Sequence, residues 1–284
     1  MSDSSNLPRA YVLLARKAPV GVIIRRGPSK QAQLILWHTD TDKFEPGQWI
    51  KARVHEKFCD LSPSGRYIVY PASKYSRGEG PQAWTAISRP PYFTALALWV
   101  RFNQPGGGLF LNDSELLVNH FLHNEDLEYG EGKNKLKVKC LNLEENMQEY
   151  KFVANRLLNN GWCEVVKDPS SVTPLSKTFY RSHSYANDHD LFLYLEFENR
   201  YSADNHSYLV CDKLGNVFCK LSNVKWADFD KNGDLLFSRD GKIFRLVHLK
   251  KAPYLPPIEQ AKELLDLSNY EFELVSTPDW AKEW

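Results

Sequence analysis

Hydrophobic and polar positions are patterned most clearly between Trp226 and Leu246. Trp226-Ala227-Asp228-Phe229 is a short run with its aromatics on one face, and Asp230-Lys231-Asn232-Gly233-Asp234 follows it. An Asn-Gly pair tolerates the positive φ angles of a tight reversal, so a turn is expected there. Leu235 to Ser238 is apolar and bounded, Asp240-Gly241 marks a second reversal, and Ile243-Phe244-Arg245-Leu246 alternates as a half-buried strand does. Two hairpins in succession make an antiparallel meander. Such a ribbon cannot bury its faces alone and implies neighbouring sheets.

The same pattern recurs far upstream. Cys59-Asp60-Leu61-Ser62-Pro63-Ser64-Gly65-Arg66-Tyr67-Ile68-Val69-Tyr70 aligns with Ala227 to Ser238 and sets Gly65 opposite Gly233. Looser copies occupy Leu109 to Val118 and Ser207 to Lys220. In these segments the chain resembles WD40-like β-propellers, whose blades often join two strands through a Ser-Pro-Asp-Gly-like turn. Gly65 and Gly233 lie about four repeat lengths apart, at about 40–45 residues per repeat. The resemblance therefore implies an all-β propeller of five antiparallel blades. No Trp-Asp dipeptide closes a blade, and the resemblance carries architecture but no functional residues. The expected organisation is a flexible tail over 1–9, the propeller over 10–250 and an extension over 251–284 that packs on the propeller or binds a partner.

Taken in order, Ala10 to Ala15, Val20 to Ile24 and Gln33 to His38 read as three strands of a first blade, followed by a polar loop from Asp40 to Gly47. A second blade is expected from Gln48 to Tyr70. The stretch Lys74 to Phe93 is rich in Gly, Pro, Arg and aromatic residues and is read as a loop far longer than a hairpin needs. Its Arg77, Trp84, Arg89 and Tyr92 are of the types that dominate binding hot spots. The alternative is that Trp84 and Tyr92 pack between blades. Gln104 to Leu109 is a glycine loop without the Lys-Ser/Thr and helix of a phosphate cradle, so close backbone packing is expected. Glu144 to Asn159 fits either a helix or an outer strand pair. After Pro256-Pro257, Ile258, Ala261, Leu264 and Leu265 predict a short amphipathic C-terminal helix. Trp280 and Trp284 are spaced to share a helical face, either docked back on the propeller or offered to a partner's groove.

Composition changes this picture little. Of 284 residues, 43% are hydrophobic and 25% charged, the balance of a folded globular chain rather than a disordered one. A formal net charge of +1 gives no general electrostatic drive toward nucleic acid or anionic membrane. No apolar run is long enough to span a bilayer and the N-terminus lacks a secretion signal, so a cytoplasmic protein is expected. The odd number of scattered cysteines, Cys59, Cys140, Cys163, Cys211 and Cys219, points to reduced thiols rather than a disulfide frame.

The densest chemical constellation is His183, Asp188, His189 and Asp190, whose imidazoles and carboxylates suit a weak metal site or a general base. An exposed polar hairpin connection is the favoured reading of the same residues. His120 and His123 beside several acids lack a third ligand pattern. Asp228-x-Asp230-x-Asn232-Gly233-Asp234 begins like a calcium loop, but Arg239 stands where the bidentate Glu is required. No nucleophile elbow, P-loop, zinc pattern or dinucleotide fingerprint occurs. The expectation is thus a non-catalytic protein-interaction scaffold, a subunit of a bacterial multi-component system. It needs no cofactor, binds a protein partner and does not bind nucleic acid. Its favoured contacts are Arg77, Trp84, Arg89, Tyr92, Trp280 and Trp284. The alternative is a glycosidase-like hydrolase using residues that project into the propeller channel, where a pair of carboxylates would flank the scissile bond.

Overall fold

The computed structural model describes residues 7–27, 30–76, 80–101, 106–119, 127–140, 149–165, 177–183, 190–197, 205–212, 214–247 and 257–284. Among these the strands form five sheets, each drawn from one continuous stretch of the chain. The chain divides into two compact units, Met1–Asn146 with Asn269–Trp284, and Met147–Ser268.

The first unit holds three sheets. Strands β1 (Arg9–Leu14), β2 (Val20–Arg26), β3 (Ala32–His38) and β4 (Lys43–Ile50) pair in order, all antiparallel. The polar loop expected before Trp49 is therefore mostly strand. It tolerates Pro46 because β4 is an edge strand and Pro46 sits just past a register shift opposite Ile35. The second sheet contains β5 (Arg53–Val54), β6 (Asp60–Leu61), β7 (Ile68–Ser76), β8 (Gly80–Ser88) and β9 (Ala95–Arg101). The long loop expected over Lys74 to Phe93 is instead mainly the far half of a hairpin, whose register runs from Ile68↔Ser88 to Ser76↔Gly80. Pro71 does not interrupt it. Its carbonyl accepts the His55 amide on the β5 side, so its missing N–H falls on that same edge and the β7–β8 ladder loses nothing.

Within this second sheet, β7 is covered on both faces from Ile68 to Ala72. Ile68, Tyr70 and Ala72 join Val22, Ile24 and Leu34 in one core, whereas Tyr67 and Val69 join Phe110, Leu116 and Val138 in another. A strand covered on both sides reads as a continuous apolar run, as Tyr67 to Tyr70 does. The third sheet, β10 (Gly108–Asn112), β11 (Glu115–Val118), β12 (Leu127–Tyr129) and β13 (Leu136–Cys140), departs from a meander because β11 and β13 run parallel with β12 outside them. The glycine run before it is closely packed as expected. A Cβ on Gly107, at φ 105°, would lie 2.3 Å from the Phe58 carbonyl oxygen.

The second unit begins with α1 (Glu149–Asn159), which settles the ambiguity of that stretch in favour of a helix. Its fourth sheet, β14 (Cys163–Glu164), β15 (Lys177–His183), β16 (Leu191–Phe197), β17 (His206–Asp212) and β18 (Val217–Leu221), is antiparallel throughout. The period of two in β16 buries Leu191, Leu193, Leu195 and Phe197. They share a core with Ala227, Phe229, Leu235, Phe237 and Val153. The fifth sheet contains the expected meander, β19 (Val224–Phe229), β20 (Leu235–Arg239) and β21 (Lys242–Leu246), plus β22 (Lys262–Asp266).

That last strand corrects the expected C-terminal helix. Only Ile258–Gln260 forms a helical turn, and Lys262–Asp266 then pairs antiparallel with β21. The open edge of β21 offers a full ladder of backbone partners. The pairing is reinforced by Lys242, which bridges Glu263 and Asp266 at 3.0 and 2.9 Å. All five cysteines are free thiols, although Cys163 is exposed. Among the described residues no helix is long and apolar enough to cross a membrane.

Candidate functional site

The two aligned segments fold into closely related turns. Gly65 and Gly233 both adopt positive φ, at 76° and 83°. Their amides donate to the carbonyls of Ser62 (2.8 Å) and Asp230 (3.1 Å). In the first copy Ser62 Oγ accepts the Tyr67 amide at 3.0 Å. In the second, Asp230 Oδ1 accepts the amides of Asn232 and Asp234 at 2.8 and 2.9 Å. Side-chain acceptors of this kind stabilise a reversal by satisfying its inward amides.

Replacing Ser62 by Asp230 brings a charge into the turn, and an arginine answers it. Arg245 Nη1 donates to Asp230 Oδ2 at 2.5 Å and to Asp234 Oδ2 at 2.9 Å, with Arg245 6% and Asp230 3% exposed at the side chain. The residues that began like a calcium loop thus carry a guanidinium between their carboxylates. Among the described residues no cluster of His, Cys, Asp and Glu is arranged to hold a metal.

Asp228, two residues before Asp230, is placed differently. Arg181 Nη1 on β15 reaches both of its oxygens at 2.9 Å, and the Phe229 amide donates to Oδ1 at 2.8 Å. The Asp228 side chain is 11% exposed, but that of Arg181 is 30% exposed. Burial pushes the Asp228 carboxyl above the ordinary carboxylate range. Arg181, the Phe229 amide and the Trp162 side chain pull it down without cancelling that effect. The result is a buried acid with a raised proton affinity beside a cation that reaches solvent, a combination often found at sites of proton transfer. Sequence reading missed this pair because Arg181 and Asp228 are 47 residues apart and no local pattern links them.

The positions singled out from sequence fall in several places. His183 ends β15, two positions past Arg181, while Asp188 and His189 lie outside the described residues, as does Arg77. Trp84 is half-buried in β8 against the core between the first two sheets. The structure brings Arg89, Tyr92, Trp280 and Trp284 together. Tyr92 and Trp280 meet edge to face at 5.7 Å between ring centroids. Arg89 Nε donates to the Glu283 carbonyl at 2.8 Å, and Trp284 stacks on Tyr129 at 5.1 Å.

No family model matches the chain, and no curated protein matches its sequence. Solved structures similar to it include the acylaminoacyl peptidase of Pyrococcus horikoshii, with a TM-score of 0.36 and 11% identity over 91% of this chain and 45% of that one. An acylaminoacyl peptidase in complex with Z-Gly-Gly-Phe-chloromethyl ketone scores 0.34 with 10% identity, over 91% and 45% of the two chains. An uncharacterised protein of Listeria monocytogenes EGD-e scores 0.31 with 10% identity, over 92% and 84%. The chain spans less than half the length of the two peptidases. The expectation of a non-catalytic interaction scaffold is withdrawn on this finding. Two of the three structures named are acylaminoacyl peptidases.

Proposed function

We propose that the chain is a hydrolase whose acid–base group is Asp228. The observation that carries this reading is the buried Asp228 carboxyl, raised in proton affinity, beside the part-exposed Arg181. A general acid must hold its proton near the working pH and deliver it to a leaving group, and burial is the usual way to bring a carboxyl into that range. Arg181 supplies the second requirement, a cation that can stabilise negative charge developing on a substrate oxygen. Asp230 is taken up by Arg245 and by two turn amides, so it does not serve as a second carboxylate of the glycosidase kind. The attacking group in this reading is water. The five sheets, arising in chain order with a repeated turn, are proposed to be blades of one propeller.

The test is a panel of chromogenic acyl-peptide anilides, esters and aryl glycosides incubated with the wild-type chain and with Asp228→Asn. Turnover of one class that falls about 10²-fold or more in the variant supports the proposal. No turnover of any class above the buffer rate overturns it. Turnover that survives in Asp228→Asn removes the assigned role.

A further inference from the structure

After β22 the chain returns to the first unit as an irregular strap, Asn269 to Trp284, which crosses all three sheets there. Side chains of the sheets hold the strap by its main chain. Arg25 Nη2 donates to the Tyr270 carbonyl at 2.9 Å and Gln48 Nε2 to the Val275 carbonyl at 3.0 Å. Arg89 Nε donates to the Glu283 carbonyl at 2.8 Å and Asn134 Nδ2 to the Trp284 carbonyl oxygen at 3.1 Å. Between these points its aromatic side chains meet aromatic surfaces: Phe272 on Trp49, Trp280 on Tyr92, and Trp284 between Tyr67 and Tyr129. Side-chain donors to carbonyls with aromatic seats at intervals are how a groove binds an extended peptide of general sequence but defined anchors.

Charge supports the same reading. The strap carries Glu271, Glu273, Asp279 and Glu283 against a single Lys282. Along its track lie Lys51 over the Phe272 ring at 4.6 Å, and Arg66 and Arg89 over the Tyr67 ring at 5.9 and 5.4 Å. Two buried donors on this track, the Trp49 Nε1–H and the Tyr67 hydroxyl, have no hydrogen-bond partner among the described residues, and Tyr67 is only 1% exposed. An unmade bond at a buried donor costs free energy that an acceptor-bearing occupant would recover.

We propose that this track is a binding groove for acidic, aromatic-rich extended peptides. Residues 270–284 are its resident occupant in cis, and a peptide of the same chemistry displaces them in trans. The groove lies within the first unit, and the proposal is independent of the role assigned to Asp228.

The test uses a fluorescein-labelled peptide of residues 268–284 added to the full chain, read by anisotropy. Trp280 is 54% exposed, so Trp280→Ala removes an anchor of the resident strap with little threat to folding, and Trp284→Ala removes the deeper one. Weakening the occupant in cis is expected to tighten binding in trans about tenfold relative to wild type, because less of the chain is in the self-occupied state. Replacing the four acids of the peptide by Lys is expected to weaken binding about tenfold, and added salt should erode the difference. Saturable, charge-dependent binding to Trp280→Ala supports the proposal. Absence of saturable binding to Trp280→Ala, or binding indifferent to the charge reversal, overturns it. If Trp284→Ala fails to fold, Trp280→Ala alone decides.

Discussion

The turns at Ser62–Tyr67 and Asp230–Asp234 are copies of one device, yet the aspartates that precede them have different neighbours. Asp60, 2% exposed, accepts the Phe110 amide of β10 at 2.8 Å and ties one sheet of the first unit to the next. Asp228, at the aligned position, faces a guanidinium that reaches solvent, and its carboxyl is pushed toward the protonated form. Inside the turn, the neutral Ser62 needs only a backbone amide, whereas the charged Asp230 requires Arg245. The comparison separates an aspartate built into the sheet framework from one beside a part-exposed guanidinium, although the same kind of turn follows both.

The largest effect should come from the charged turn. Arg245→Ala leaves Asp230 and Asp234 without their shared cation, and removing one partner of a buried ion pair typically costs about 3–5 kcal/mol. Urea denaturation should show that loss, and a cost below about 1 kcal/mol would mean that the turn is held by its backbone bonds as in the first copy. Next in size is Asp60→Ala, which strands the buried Phe110 amide at a cost of about 1–3 kcal/mol. Asp60→Asn keeps an acceptor oxygen and should restore most of it. If the Asn and Ala variants are equally unstable, the charge itself matters and Asp60 is more like Asp228 than its geometry indicates.

Arg181→Ala should cost about 1–2 kcal/mol at neutral pH, less than a fully buried pair because Arg181 is partly solvated. The loss should depend on pH. Without the guanidinium the Asp228 carboxyl is pushed up further, so its favourable contribution is present at acid pH and lost as pH rises through the raised value. Stability measured at pH 4 and pH 8 should therefore diverge more in the variant than in wild type. Equal losses at both values would detach Arg181 from the titration of Asp228.

How much of this was legible in the chain follows from the range of each interaction. The meander from Trp226 to Leu246 and its upstream copy are local, fixed by glycine conformation and turn acceptors within a few residues, and both turns and their flanking strands were read correctly. Lys262 to Asp266 was misread because a short apolar run fits a helix or a strand, and its choice depends on the open edge of β21, which no local pattern reveals. The stretch from Lys74 was misread because its Gly, Pro and Arg content suggests a loop, whereas most of it pairs with β7 in a hairpin whose register, Ile68↔Ser88 to Ser76↔Gly80, no local pattern reveals. Arg181 with Asp228, and Arg245 with Asp230, belong to different strands, so neither pair has a sequence signature. Arg89, Tyr92, Trp280 and Trp284 were legible as residue types, but not as one cluster.

The smallest change in stability, and the one that most sharpens the comparison, is expected for Asp228→Asn. A carboxyl whose folded-state proton affinity is raised stabilises the fold below its unfolded pKa and loses that contribution as pH rises through the folded value. Asparagine does not titrate, so the variant should gain on wild type as pH increases. At neutral pH it should lie within about 1 kcal/mol of wild type, or above it. Hydrolysis should fall in the same variant. A charged group kept at a cost to stability and lost with activity has the signature of a functional residue, since selection for stability alone would have replaced it. A clear loss of stability with turnover unchanged would instead make Asp228 a second Asp60, a buried acceptor serving the sheet, and the difference between the two copies would reduce to which donor each has found.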